Sequence, residues 1–237
     1  MKTPNIALAL SILCQMSIAA LEPHSFLEEA DRYRQFDQRG FSATYHMTGS
    51  DGSKSSMRIA VRFLPSEAVL VHYTEPAREA GRRILVLENS YWLQEQGTRQ
   101  PLRISARQIL GGQAAAGDLS RVSFSRMYSL ESVREEDEGY ILFLNSKKNT
   151  GANYDKIELS TDLNRRPIQA LCMGRSGVVL KQILYTGYTV VEGKEVLTRY
   201  RIVDPIDNSH IDIEISEYSS DIPAERAFSI HALRARQ

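Results

Sequence analysis

Residues 41–63 read FSATYHMTGSDGSKSSMRIAVRF. Phe41, Ala43, Tyr45 and Met47 alternate with Ser42, Thr44 and His46, and Met57, Ile59, Val61 and Phe63 alternate with Arg58, Ala60 and Arg62. Successive side chains on a strand point to opposite faces, so each run puts one apolar row on one side. Gly49 to Gly52 between them supplies the hairpin turn. The same period continues downstream through Val69–Thr74, Arg83–Glu88 and Ser90–Gln94, with Pro65, Pro76–Gly81 and Asn89 as punctuation. It resumes at Tyr128–Glu135, Tyr140–Asn145, Tyr154–Ser160, Pro167–Met173, Val178–Val190, Val196–Val203 and His210–Tyr218. From Ile104 to Met127 the alternation fails; Gly111-Gly112, Ala114 to Gly117 and Asp118-Leu119-Ser120 predict loop and short helix. Upstream, Phe26, Leu27, Ala30, Tyr33 and Phe36 recur at helical spacing, which predicts one amphipathic helix over His24–Gly40.

About 11–12 short strands this closely spaced point to a meandering antiparallel sheet rather than to βαβ units. Some strands are apolar on both parities, such as Ile141 and Phe143 against Leu142 and Leu144, and Leu85 and Leu87 against Ile84 and Val86. Those require cover on both sides. Ile211, Ile213 and Ile215 stand against His210, Asp212 and Glu214, leaving one wet face. The expected class is α+β, mainly β: a large curved antiparallel sheet, open at its ends, with an N-terminal helix and short helices over its hollow.

The chain has 237 residues, 42% hydrophobic and 24% charged, which is the composition of a folded protein. Lys+Arg and Asp+Glu are both 29, and the sequence pI is near 7.0, so no global field draws a nucleic acid, and none is expected as a partner. Met1-Lys2, the apolar run Ile6–Met16 and the small residues at Ser17 to Ala20 read as a secretory signal cleaved near Ala19. Residues 1–19 are then the leader and 20–237 one domain, a monomer in the periplasm. Leu13 before Cys14 is bulky for a lipid-attachment site. Loss of the leader leaves Cys172 as the only thiol, in an apolar strand that suits a buried inert role.

The sequence offers no catalytic group, metal site or cofactor motif. His24, His46, His72, His210 and His231 are scattered, without helical pair spacing. His210, Asp212 and Glu214 share one side of a strand, which a solvated sheet face explains. Gly174-Arg175-Ser176-Gly177 lacks the spacing of a nucleophile elbow and reads as a hairpin turn. Glu135 to Gly139 reads as an acidic hairpin tip, and Arg165-Arg166 as a corner before Pro167.

Several short matches in order resemble the outer-membrane lipoprotein-sorting proteins, the LolA-like periplasmic carriers. They are Asp51-Gly52 with Met57; Tyr73-Thr74-Glu75-Pro76 with Gly81; Ile84-Leu85; Tyr91-Trp92-Leu93; Pro101-Leu102-Arg103-Ile104; Gly111 and Asp118-Leu119; Gly177 before Leu180-Lys181; and Ile222-Pro223-Ala224-Glu225 with Phe228-Ser229 and Leu233. The resemblance implies an antiparallel half-barrel whose concave face, closed by helices, holds the acyl chains of a lipid or lipoprotein on the way to the outer membrane. It also implies an inner-membrane transporter as donor and an outer-membrane acceptor as partners. An envelope lipid sensor or an accessory subunit of a lipid exporter would use the same fold. Gly112-Gln113-Ala114-Ala115-Ala116 is smaller and less charged than the family's pattern, and Arg58, Arg62 and Arg103 are candidates for its lid-latching arginine.

An acyl chain in water costs about 0.8 kcal/mol per CH₂, so a carrier needs an adaptable apolar lining. The alternating strands offer Met57, Ile59, Val61, Phe63, Val69, Val71, Tyr73, Leu142, Tyr200, Ile202, Ile213 and Ile215 as one such surface. A closed core without a cavity would use the same residues. Trp92, the only tryptophan, suits a pocket mouth, a core or a sheet edge.

Overall fold

The computed structural model describes residues 23–234 except 88, 106–108, 112–113 and 116–122. The leader segment and part of the irregular stretch before Met127 therefore lie outside the described residues. The chain opens with α1 (Pro23–Arg32) and continues into β1 (Gly40–Gly49), β2 (Lys54–Arg62), β3 (Ala68–Glu75), β4 (Arg83–Leu87), β5 (Ser90–Gln94) and β6 (Leu102–Ile104). A separate pair, β7 (Ile109–Gly111) and β8 (Ala114–Ala115), precedes α2 (Phe124–Met127). The second run is β9 (Tyr128–Glu136), β10 (Gly139–Ser146), β11 (Lys156–Asp162), β12 (Pro167–Met173), β13 (Val179–Val191), β14 (Lys194–Asp204) and β15 (Ser209–Ser219). A 3₁₀ turn at Glu225–Ala227 and α3 (Ile230–Arg234) follow.

Thirteen of these strands form one curved, unclosed antiparallel sheet in the order β6-β5-β4-β3-β2-β1-β15-β14-β13-β12-β11-β10-β9. Twelve match the segments whose alternation is visible in the sequence; the thirteenth, β6, has only three residues and too short a period to stand out. The two meanders meet where β1 pairs with β15, Tyr45 opposite Ile215 and Met47 opposite Ile213. The chain passes from one sheet edge, β6, to the other, β9, by way of β7, β8 and α2.

α1 is shorter than the helical spacing predicts, ending at Arg32 rather than running to Gly40. The bonds that would continue it are diverted. The Tyr33 carbonyl accepts from Leu197 N–H at 2.8 Å, and the Phe36 carbonyl accepts from Lys194 Nζ at 2.9 Å. Tyr33 and Phe36 are buried as the spacing suggests, but in an irregular segment bonded to β14.

Both faces of the first meander are covered. On the concave side the row Ala43–Ile59–Val71–Ile84–Leu93 runs from β1 to β5 as part of the central apolar cluster. On the convex side the row Ala60–Leu70–Leu85–Trp92 is covered by Phe228 and Leu233 of the C-terminal segment. This accounts for β4 being apolar on both parities. In β10 the outward Ile141 and Phe143 are half-buried, with the Arg134 guanidinium 5.5 Å from the Phe143 ring centre. There a cationic side chain substitutes for a covering element.

Candidate functional site: the covered concave face

Register explains how distant strands build one surface. Met47, Ile213, Tyr200 and Tyr185 are successive partners from β1 to β13. Ile211, Ile202, Ile183, Ala170, Leu159 and Leu142 form the next row, from β15 to β10. Met57, Ile59, Val61, Phe63, Val69, Val71, Tyr73, Leu142, Tyr200, Ile202, Ile213 and Ile215 are all buried in this single cluster. Trp92 is not among them. It lies one residue out of phase, on the convex face with Leu70, Leu87, Phe228 and Leu233. Its emission should therefore follow the C-terminal segment: Phe228→Ala is expected to shift it to longer wavelength, whereas a ligand in the concave face leaves it in place.

Among the described residues, the cover over the concave face is the apolar side of α1 together with α2. Phe26 meets Tyr140 edge-on at 5.4 Å between ring centres, and Tyr33 meets Tyr188 at 5.8 Å. Leu27 and Ala30 are buried in the same cluster. The guanidinium of Arg165 stacks 3.8 Å from the Phe26 ring centre, fastening the helix to the β11–β12 turn.

α1 and α2 are joined by one carboxylate. Asp31, 2% exposed, accepts from Phe124 N–H at 2.6 Å and Ser125 N–H at 2.9 Å. It also accepts from the hydroxyls of Ser123 at 2.9 Å and Ser125 at 2.6 Å. Ser123 is the N-cap of α2, its hydroxyl accepting from Arg126 N–H at 3.4 Å, and Asp31, from a helix some ninety residues away in sequence, satisfies the two N–H groups before that one. Burial pushes its carboxyl above the usual range, against the pull of these donors and of Arg34.

Arg34 is the cation inside the cover. Its guanidinium lies 4.4 Å from the Phe124 ring centre and 5.9 Å from that of Tyr185. Burial opposes its charge, but Tyr185, Asp31, Tyr200 and Tyr45 more than offset this and hold it above its ordinary value. Burial pushes the Tyr45 hydroxyl up to about 12, so it stays neutral and available as a donor.

Space in this state is small. A cavity of about 40 Å³ is lined by Arg34, Phe124, Met127, Ile157, Cys172 and Tyr185, among others. A cavity of this size takes a few water molecules and is too small for an acyl chain. A larger groove, about 1180 Å³, opens outside the cover between α1, residues 33–39, α2 and Gly193 to Glu195. It is lined mainly by polar side chains.

A family model whose description reads "Uncharacterized protein" matches residues 66–235. Three solved structures share the fold. The LolA superfamily protein of Nitrosomonas europaea is 27% identical, with a TM-score of 0.75 over 89% of this chain and 98% of that one. A DUF1329 family protein from Desulfovibrio piger is 17% identical, with a TM-score of 0.74 over 89% and 98%. A protein of Vibrio parahaemolyticus described as an outer membrane lipoprotein-sorting protein domain is 18% identical, with a TM-score of 0.72 over 90% and 98%. The chain belongs to that uncharacterized family and has the LolA fold. No curated protein matches it.

Within this LolA-like fold, the three arginines singled out from sequence all lie away from the concave cluster. Arg58 pairs with Glu217 at 3.6 Å, Arg62 with Glu225 at 3.5 Å, and Arg103 donates to Ser90 Oγ at 3.2 Å, all on the convex side. Arg34 lines the interior instead, and only its place one residue after the buried Tyr33 hinted at it. Asp31 gave no signal, because among Glu28, Glu29 and Arg32 it reads as part of a solvated helix face.

The other sequence motifs of the LolA-like chain have structural roles. Asp212 is held below its ordinary value by Arg201, whose Nε and Nη2 donate at 2.6 and 2.8 Å. The segment 174–177 is a hairpin turn, with Gly177 N–H donating to the Gly174 carbonyl at 3.0 Å. Among the described residues no group of three His, Cys, Asp or Glu could hold a metal ion, and no helix is long and apolar enough to cross a membrane.

Proposed function

We propose that the protein is a periplasmic carrier, one domain following a cleaved leader, that shields the acyl chains of a lipid or lipoprotein on its concave face. The observation that carries this reading is the unbroken apolar surface spanning β1–β5 and β10–β15 beneath a helical cover. An ordinary core would be closed by a second sheet or a long helix. Among the described residues a ten-residue helix and a four-residue helix lie over it instead, joined through Asp31.

In the closed state the side chains of Phe26, Leu27, Ala30 and Phe36 occupy the surface that cargo would use. An entering chain takes over their contacts as α1 moves out, so loading exchanges one apolar partner for another. Shielding is worth about 0.8 kcal/mol per CH₂, and much of it is offset by the contacts the cover gives up, which favours release as well as uptake. The proposed lining is the twelve-residue set from Met57 to Ile215 named above, and the donor and acceptor are membrane components at either side of the periplasm.

Protein purified from native envelopes should release an acyl lipid on solvent extraction, identified by mass spectrometry at about one ligand per chain. Protein that yields no lipid, and that ignores a lipid-like fluorophore even when Asp31 is replaced to loosen the cover, would rule the carrier out.

A further inference from the structure

The cavity of about 40 Å³ beneath the cover has a lining of two kinds. Arg34, Ser123, Asn153 and Tyr185 bring charge and hydrogen-bonding groups, whereas Met127, Ile157 and Ile183 are apolar. Ile183 also belongs to the row Ile202–Ile183–Ala170–Leu159–Leu142, so the cavity adjoins the surface proposed for an acyl chain. From Ile183 on β13 to Leu142 on β10 the row crosses three strand spacings, about 14 Å. It ends on the strand where Phe26 of α1 packs against Tyr140.

A surface for hydrocarbon alone has no use for a cation, because taking a guanidinium out of water is costly. Arg34 is held there nonetheless, with the Phe124 ring centre 4.4 Å away. Asp31 acts on it through space: an ionised carboxylate has about four acceptor sites, and the donors of Ser123, Phe124 and Ser125 fill them. The phenols of Tyr185, Tyr200 and Tyr45 also lie close enough to act on its charge. Arg34 thus heads a polar cluster beside an apolar row, and the guanidinium fork matches the oxygens of a carboxylate or phosphate.

The cation is also fixed in place. Leu197 N–H donates to the Tyr33 carbonyl at 2.8 Å and Lys194 Nζ to the Phe36 carbonyl at 2.9 Å. These bonds tie the chain on either side of Arg34 to β14, so Arg34 stays with the sheet when α1 moves out.

We propose that Arg34 receives the anionic head of a single-chain lipid, a carboxylate or a phosphate, while the chain lies along the row from Ile183 to Leu142. The cavity admits a few water molecules, which the head replaces as the cover lifts. This rests on the carrier reading and names its cargo class: anionic lipids in preference to neutral ones of the same chain length.

Displacement of an uncharged lipid-like fluorophore from the purified protein tests the assignment. In mildly alkaline buffer, hexadecanoate and hexadecyl phosphate should displace it at concentrations about tenfold or more below that needed of hexadecanol. Arg34→Met should remove that difference while hexadecanol acts as before, and Arg34→Lys should keep part of it. Inorganic phosphate, with no chain, should not compete with hexadecyl phosphate. Equal displacement by the alcohol and the anions in the wild type would overturn the proposal, and so would an Arg34→Met protein that keeps the preference. A folded Arg34→Met protein that loses all three ligands alike would make Arg34 a structural pin, and competition by inorganic phosphate would make the site one for free anions; either result overturns the lipid-head assignment. Should Arg34→Met fail to fold, the wild-type comparison and Arg34→Lys decide. Protein that takes up the alcohol and the anions alike keeps the carrier reading and loses the head selection, whereas protein that binds none of them loses both.

Discussion

Asp31→Ala is expected to cost about 3 kcal/mol of stability, because it leaves two backbone donors at the start of α2 unpaired in a buried place. The hydroxyls of Ser123 and Ser125 can turn to other acceptors, but the N–H groups of Phe124 and Ser125 cannot. Asp31→Asn should recover only part of the loss, since its amide oxygen can accept from one of the two N–H groups while its NH₂ faces the other. Urea unfolding followed by circular dichroism measures both. A second readout separates clamp from core: if Asp31 couples α1 to α2, a fluorescent fatty-acid probe should bind the alanine variant more tightly in urea-free buffer. Destabilisation without a change in probe binding would reduce Asp31 to an ordinary capping group.

Gly40→Ala is expected to cost roughly 3–4 kcal/mol, from an unfavourable backbone conformation together with a direct clash. Gly40 has φ +151°, and a Cβ there would lie 2.4 Å from the Val61 carbonyl oxygen and 2.9 Å from Ile222 Cδ1. The glycine sits where the irregular segment enters β1, and although the Ile222 side chain can turn away, the Val61 carbonyl is held in the β1–β2 ladder and cannot. Gly177→Ala is the useful comparison: φ is +82° but nothing lies within 4 Å, and only about 1 kcal/mol of backbone strain is expected. Equal losses at the two positions would show that the clash at Gly40 relaxes freely.

How much could be read in advance follows from what each feature depends on. Strand alternation is a local property, so β1, β2, β12 and β15 are legible in the sequence almost residue for residue. The apolar set on the concave face is legible for the same reason, because period two fixes which residues share a side. Trp92 shows the limit: a shift of one position within Tyr91-Trp92-Leu93 moves a side chain to the opposite face, and the local pattern is apolar on both parities. The end of α1 was hidden because Tyr33 and Phe36 are spaced like a helix face, while the bonds that stop the helix come from Leu197 and Lys194. Asp31 and Arg34 were hidden because a charged residue beside other charged residues looks solvated until its partners are placed around it. The β1–β15 junction depends on pairing across nearly the full chain, which no window of sequence contains.

That junction has a consequence for how the molecule comes into being. The strand that links the two meanders, Ser209–Ser219, emerges from the ribosome after every other strand of the sheet, yet it occupies a central position. Until it arrives, β1 and β14 each present a bare edge and the halves have no shared surface to zip together. Assembly is thereby postponed to the last moments of synthesis, and contacts this distant along the chain form slowly.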